Sequence, residues 1–254
     1  VRHGALHGKR VLVTRPVEQA NELARRLRAA GAEPILAPTI EIGPPDDLRP
    51  AREAVARTHE YQWIVFTSRN GVEAFFALAD ERGAGALALV GPKLAAIGPK
   101  TRDGLLRRGL HVDLVPRAFI GEAIARELLL RTEPRDRILL FRAQEGREAI
   151  PALLRRHGRV VDVVAAYATH LVEDPALPAK ACSADIITFS SSSAVEGFLK
   201  NVPSAPRVLE TKTVAAIGPV TARTARDAGI RVDAVAEQFS AEGLISALET
   251  AASD

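Results

Sequence analysis

Methionine is missing from this 254-residue chain, which has one cysteine, one tryptophan and two tyrosines. The single Cys182 excludes an internal disulfide framework, and a lone cysteine is more often a small buried hydrophobe than a nucleophile. Aromatic residues make up only 4%, too few to supply the stacking platforms of a nucleic-acid binder. No apolar run approaches the roughly 20 residues of a membrane helix, and Val1–Gly8 lacks the apolar core of a signal peptide. A cytoplasmic protein with neither a membrane nor a nucleic-acid partner is therefore expected. The six histidines are scattered without a cysteine partner, so no metal site is expected. Also lacking are a G-x-S-x-G elbow, a G-x-x-x-x-G-K-S/T phosphate loop, a dinucleotide glycine pattern after the first strand and an H-E-x-x-H pair. No pair of catalytic carboxylates is evident.

What remains is ordinary globular material, 47% hydrophobic and 26% charged with a mean hydropathy of +0.03. The length suits one large domain or two of usual size. Net charge is +3, the isoelectric point is about 9.3, and Arg far outnumbers Lys. That excess suits an anionic ligand but is too small and scattered for nucleic acid.

The main positive signal is a repeat. Leu-Ala-Ala-Ile-Gly-Pro-Lys-Thr at Leu94–Thr101 returns as Val-Ala-Ala-Ile-Gly-Pro-Val-Thr at Val214–Thr221. A short apolar run closed by Gly-Pro reads as a buried strand, a sharp turn and a helix start. Further apolar runs at Val11–Val13, Trp63–Phe66, Val112–Val115, Ile138–Phe141 and Ile186–Phe189 predict strands, and Pro34–Ile42 and Val160–Thr169 are extended. Helical spacing of apolar residues follows most of them, as at Ala20, Leu23, Ala24 and Leu27. Residues 10–129 and 137–248 thus look like copies of one β/α unit. Strands alternating with helices predict an α/β fold: two similar open parallel-sheet domains with helices on both faces.

Ligands of open α/β sheets sit beyond the carboxyl ends of the strands. In the first copy the residues there are Thr14 and Arg15, then Ser68, Arg69 and Asn70, then Gly98 and Thr101. In the second they are Arg142 and Arg147, then Ser190, Ser191 and Ser192, then Gly218 and Thr221. Hydroxyls, glycine amides and guanidinium groups bind carboxylates or phosphates and donate protons, but make poor general bases. Taken singly, each serine or threonine could be no more than a helix N-cap. Capping alone does not call for arginine or a run of serines.

At these positions the chain resembles the uroporphyrinogen-III synthase family. The resemblance rests on the paired Ala-Ile-Gly-Pro-x-Thr motifs, on Val-Leu-Val-Thr-Arg-Pro at Val11–Pro16, on Val-Phe-Thr-Ser-Arg-Asn-Gly-Val at Val65–Val72, and on Ala166-Tyr167-Ala168-Thr169. It implies a cofactor-free cytosolic enzyme of haem, sirohaem or cobalamin biosynthesis acting on a linear tetrapyrrole, hydroxymethylbilane, with a monomer as the default state. It also implies two α/β domains, residues 1–37 with 169–254 and residues 38–168, joined by a two-stranded connector with the active site in the cleft between them. The implied reaction loses the substrate hydroxyl as water, attacks through the substituted carbon of ring D and closes the macrocycle with that ring inverted. The same resemblance makes Tyr167 the proton donor. A core tyrosine with a satisfied hydroxyl is the alternative. Where the family often has Pro after the strand-end serine, this chain has Arg69 and Ser192, which leaves the register of the serine run open between Ser191 and Ser192.

Two rivals need the same edges. One is a non-catalytic, two-lobed cytosolic sensor of a small anion. The other is a phosphate-handling enzyme on a similar plan, for which neither a glycine-rich loop nor acidic metal ligands are found.

Overall fold

The structure is a computed structural model and describes residues 4–251. The first five strands are β1 (Arg10–Val13), β2 (Glu33–Leu36), β3 (Ile40–Gly43), β4 (Trp63–Phe66) and β5 (Lys93–Ala96). The second five are β6 (Arg137–Ala143), β7 (Val160–Leu171), β8 (Ile186–Phe189), β9 (Thr213–Ala216) and β10 (Ala234–Val235). Helices α1 (Val17–Ala29), α2 (Arg49–Ala56), α3 (Arg69–Glu81), α4 (Pro99–Leu106) and α5 (Gly121–Leu129) lie in the first half. The second half adds α6 (Ala149–Arg156), α7 (Leu177–Ser183), α8 (Ser192–Asn201), α9 (Ala205–Leu209), α10 (Pro219–Asp227) and α11 (Ala241–Ala251).

The chain divides into two compact units. Residues up to Glu41 and from His170 onward form unit 1, and Ile42–Thr169 form unit 2. Strands β3 and β7 each begin in one unit and end in the other.

The sheet of unit 1 runs β2-β1-β8-β9-β10, with parallel pairing throughout. That of unit 2 runs β3-β7-β6-β4-β5, and its β7-β6, β6-β4 and β4-β5 pairs are parallel. Unit 1 therefore takes its first two strands from the first sequence copy and the rest from the second. Unit 2 does the reverse. Each reads 2-1-3-4 across the sheet, the order whose topological switch point lies between the first and third strands. That point falls between β1 and β8 in unit 1, and between β6 and β4 in unit 2.

Side chains alternate across a strand, and here both faces are apolar. In unit 2, Ile64 and Phe66 join α2 and α3 on one face, while Trp63 and Val65 join α5 and α6 on the other. In unit 1, Leu12 and Ile187 pack with α7, α8 and α9, whereas Val11 and Val13 pack with α1 and α11. Helices thus cover both faces of each parallel sheet, as the alternation predicted. Phe66, Phe75 and Phe141 meet edge to face with centroids 5.4–6.1 Å apart, and burying each such ring contributes on the order of 1.5–3 kcal/mol.

Three expectations are corrected. Val112–Val115 is not a strand and pairs only through the single bridge of Leu114 with Ala95. The Asp113 carboxylate accepts the Leu94 amide at 2.8 Å, so a side chain does there what the next ladder bond would have done. Asp233 does the same to Val214 in unit 1, where β10 is only two residues long. Cys182 is exposed, not buried, because Leu177 and Ala181 are the residues that α7 turns inward. Finally, Arg142 lies within β6 and not after it.

One close approach fixes the head of α8. Gly197 packs so near Thr39 that a Cβ would collide with the Thr39 carbonyl oxygen and lie 3.0 Å from its carbon. The corresponding position on α3 is Ala74.

Candidate active site

In unit 2 the carboxyl ends of β4, β5 and β6 bring together Ser68, Arg69, Asn70, Gly98, Thr101 and Arg142. Ser68 is extended (φ −159°, ψ 160°) and caps α3, its Oγ accepting the Gly71 amide at 3.0 Å. Tyr167, on β7, donates its hydroxyl to the same Oγ at 2.9 Å. A Cβ at Gly71 would lie in ordinary contact with both, 3.4 Å from Ser68 Oγ and 4.0 Å from the Tyr167 ring. Burial raises the Tyr167 pKa above its ordinary value and outweighs the lowering by the Ser68 bond. The phenol therefore holds its proton at neutral pH.

The arginines of this rim differ in what they are free to do. Arg69 is exposed and pairs with Glu73 at 2.7 Å one turn along α3. Arg142 is buried and held by Glu148 and by the Arg147 carbonyl. The loop folds over it because residue 146 is glycine: a Cβ there would lie 2.5 Å from Arg142 Cδ. Arg147 contributes its carbonyl to that cover and is itself exposed. Thr101 is nearly buried in the first turn of α4, just after Gly98 and Pro99.

In unit 1 the ends of β1, β8 and β9 collect Thr14, Arg15, Ser190, Ser191, Ser192, Gly218 and Thr221. Ser191 is the counterpart of Ser68: it has the same backbone (φ −164°, ψ 163°) and accepts the Ala194 amide at 3.0 Å. This settles the register of the serine run. Ser192 is the first residue of α8 and shares a 2.7 Å hydrogen bond with Thr224. Thr14 is fully buried and donates to the Thr188 carbonyl at 2.8 Å, while Thr188 donates to that of Leu12. Its hydroxyl is committed to the sheet. Thr221 repeats the placement of Thr101 in the first turn of α10. Arg15 is partly buried, its Nε has no hydrogen-bond partner, and its guanidinium makes no ion pair among the described residues. Burial lowers its pKa, and Glu22 opposes the shift. It is the uncommitted cation of this rim.

Other residues of these edges were not singled out from the sequence. Phe119 and Phe239 are largely exposed and lie against Gly98 and Gly218, where a Cβ would meet their rings at 3.5 and 3.0 Å. Their identical spacing after the two Ile-Gly-Pro motifs was a legible signal. Glu148 had none. Among the described residues no group of three or more His, Cys, Asp or Glu side chains could hold a metal ion, and no helix is long and apolar enough to cross a membrane.

The fold and its edges define a duplicated, doubly wound α/β protein whose strand ends carry hydroxyl, amide and guanidinium groups. The sequence model of the uroporphyrinogen-III synthase HemD family matches residues 21–246. The uroporphyrinogen-III synthase of Synechococcus elongatus is 32% identical over 255 residues, 96% of each chain. The porphyrin biosynthesis protein HemD of Ruminiclostridium josui is also 32% identical, and the chain spans about half of that protein's length (48%) and 96% of its own. A mutant uroporphyrinogen III synthase from Thermus thermophilus has the same fold, with a TM-score of 0.65 at 18% identity over 96% of this chain and 98% of that one. The Helicobacter pylori enzyme gives 0.62 at 20% identity over 94% and 97%. The chain belongs to the uroporphyrinogen-III synthase family. Membership favours the enzyme over the sensor.

Proposed function

We propose that the chain is a cyclising hydro-lyase that converts hydroxymethylbilane to uroporphyrinogen III with inversion of ring D. The observation that carries the chemistry is the Tyr167–Ser68 hydrogen bond at the head of α3. It places a protonated acid among groups that bind anions, and loss of a hydroxyl as water needs such an acid. The substrate has eight carboxylates, for which Arg15, Arg69 and the first-turn amides of α3, α4, α8 and α10 are suited. Nothing nucleophilic is required, because holding the bilane folded supplies most of the selectivity.

Both rims are taken to serve one substrate molecule, with residues 1–37 and 169–254 contributing one and residues 38–168 the other. Asn70 and Thr101 belong to one binding edge in this account and Ser190, Ser192 and Thr221 to the other, and the protein acts as a monomer in the cytoplasm without a cofactor. The test is to supply freshly made hydroxymethylbilane and separate the isomers formed. The type III isomer is expected. Type I alone, the product of unassisted closure, would refute the proposal.

A further inference from the structure

We propose that Ser68, rather than Tyr167, hands the proton to the departing hydroxyl, with Tyr167 resupplying Ser68 from behind. This rests on the function just proposed. A serine hydroxyl has one proton to give and two lone pairs to fill. Both acceptor positions of Ser68 Oγ are taken, by the Gly71 N–H at 3.0 Å and by the Tyr167 O–H at 2.9 Å. Its own proton must therefore point elsewhere, and no acceptor among the described residues receives it. The Tyr167 proton, by contrast, is already committed to Ser68. Ser68 is only part-buried, so its proton has somewhere to go.

The duplication supplies an internal comparison. Ser191 has the same backbone geometry and the same capping bond as Ser68, yet among the described residues no tyrosine hydroxyl bonds to it. In unit 1, Thr39 sends its hydroxyl to the Ala194 carbonyl at 2.9 Å. The cap is thus common to both copies, and the second donor is particular to unit 2. Helix capping does not require the tyrosine, whereas a proton relay does.

The step balances. The bond between the hydroxymethyl carbon and its oxygen breaks with the electron pair going to oxygen. That oxygen takes the Ser68 proton and leaves as water, while Ser68 takes the phenolic proton of Tyr167. The carbon left behind is stabilised by the pyrrole nitrogen as an azafulvenium cation, opposite a tyrosinate. The substituted carbon of ring D then bonds to that cationic carbon, and the bond from ring D to its original methylene bridge breaks. The freed methylene carbon bonds to the unsubstituted α-carbon of ring D, which releases the one proton that restores the phenol.

The experiment first measures type III formation by the unaltered protein, which tests the function irrespective of the relay. Then kcat and KM are compared for Ser68→Asn, Ser68→Thr, Tyr167→Phe and the double variant Ser68→Asn/Tyr167→Phe. Asparagine keeps a capping oxygen without the hydroxyl, and threonine keeps both. A positioned general acid contributes about 100-fold or more. Ser68→Asn and Tyr167→Phe should each lose about that much kcat with KM little changed. The double variant should be no slower than either single, and threonine should restore most of the rate. Ser68→Asn at the unaltered kcat, failure of threonine to rescue, or losses that multiply in the double variant would each overturn the relay.

A readout independent of activity is the phenol itself. In a Tyr61→Phe background Tyr167 titrates alone, and Ser68→Ala should move its ultraviolet midpoint upward by removing the hydroxyl that turns to donate to the tyrosinate. An unmoved midpoint would show that the hydrogen bond does not exist.

Discussion

Replacing Gly197 by alanine tests how the head of α8 is placed. The added Cβ meets the carbonyl oxygen of Thr39 and lies 3.0 Å from its carbon and 3.1 Å from its Cβ. Ordinary contact starts near 3.4 Å, and the obstacle is backbone that cannot rotate away. The helix must retreat by up to about 1 Å, an overpacking cost of about 1–3 kcal/mol. The same movement weakens the buried bond from Thr39 Oγ1 to the Ala194 carbonyl, worth about 1 kcal/mol. Alanine returns about 1 kcal/mol of helix propensity. The net expectation is a loss of about 2 kcal/mol, read as a lower urea midpoint for unit 1. Ala74→Gly is the matched control, because α3 carries alanine at the corresponding place and should lose only about 1 kcal/mol through propensity. A Gly197→Ala protein as stable as the parent, or more so, would refute the close approach and the placement of Ser191 that depends on it.

Three more outcomes follow from particular contacts. Tyr61 donates to Asp162 at 2.8 Å, and burial followed by that carboxylate pushes its pKa from 10 up to about 12. The folded state then binds the proton more tightly than the unfolded one, so its contribution is full below pH 10 and is lost as pH rises from about 10 to about 12. Urea midpoints of Tyr61→Phe should therefore fall less steeply over that range than those of the parent, and parallel curves would contradict the assignment. Glu148→Ala should lower KM severalfold with kcat nearly unchanged, because a substrate carboxylate would no longer have to displace Glu148 from Arg142. A higher KM would mean that Glu148 orders Arg142 for binding. Arg15→Gln should raise KM about tenfold or more, the scale of a charged hydrogen bond, and an unchanged KM would remove Arg15 from the site.

The fold was largely legible because its signals are local. Apolar runs of four residues closed by Ser or Gly-Pro gave the strands, and apolar spacing gave the helices that follow them. Val112–Val115 misled because Asp113 and not an apolar residue decides its pairing, and side-chain substitution for a ladder bond has no periodicity. Individual roles at the rims were less accessible. Thr14 and Thr188 lie 174 residues apart, and Thr14 donates to the Thr188 carbonyl within the sheet, so a strand-end hydroxyl that looked available is committed. Arg142 is covered by Glu148 only because Gly146 lets the loop fold over it, a tertiary consequence of one missing Cβ. The Tyr167–Ser68 bond joins residues 99 apart, and nothing in either local sequence announces it.

The proposed function has each of the two edges left by the duplication bind the tetrapyrrole. Amide hydrogen exchange on the full chain, with and without uroporphyrinogen III, tests it most directly. Slowed exchange is predicted at the first turns of α3 and α4 and, with the same dependence on ligand concentration, at those of α8 and α10. Protection in one unit while the other exchanges as before would contradict the account.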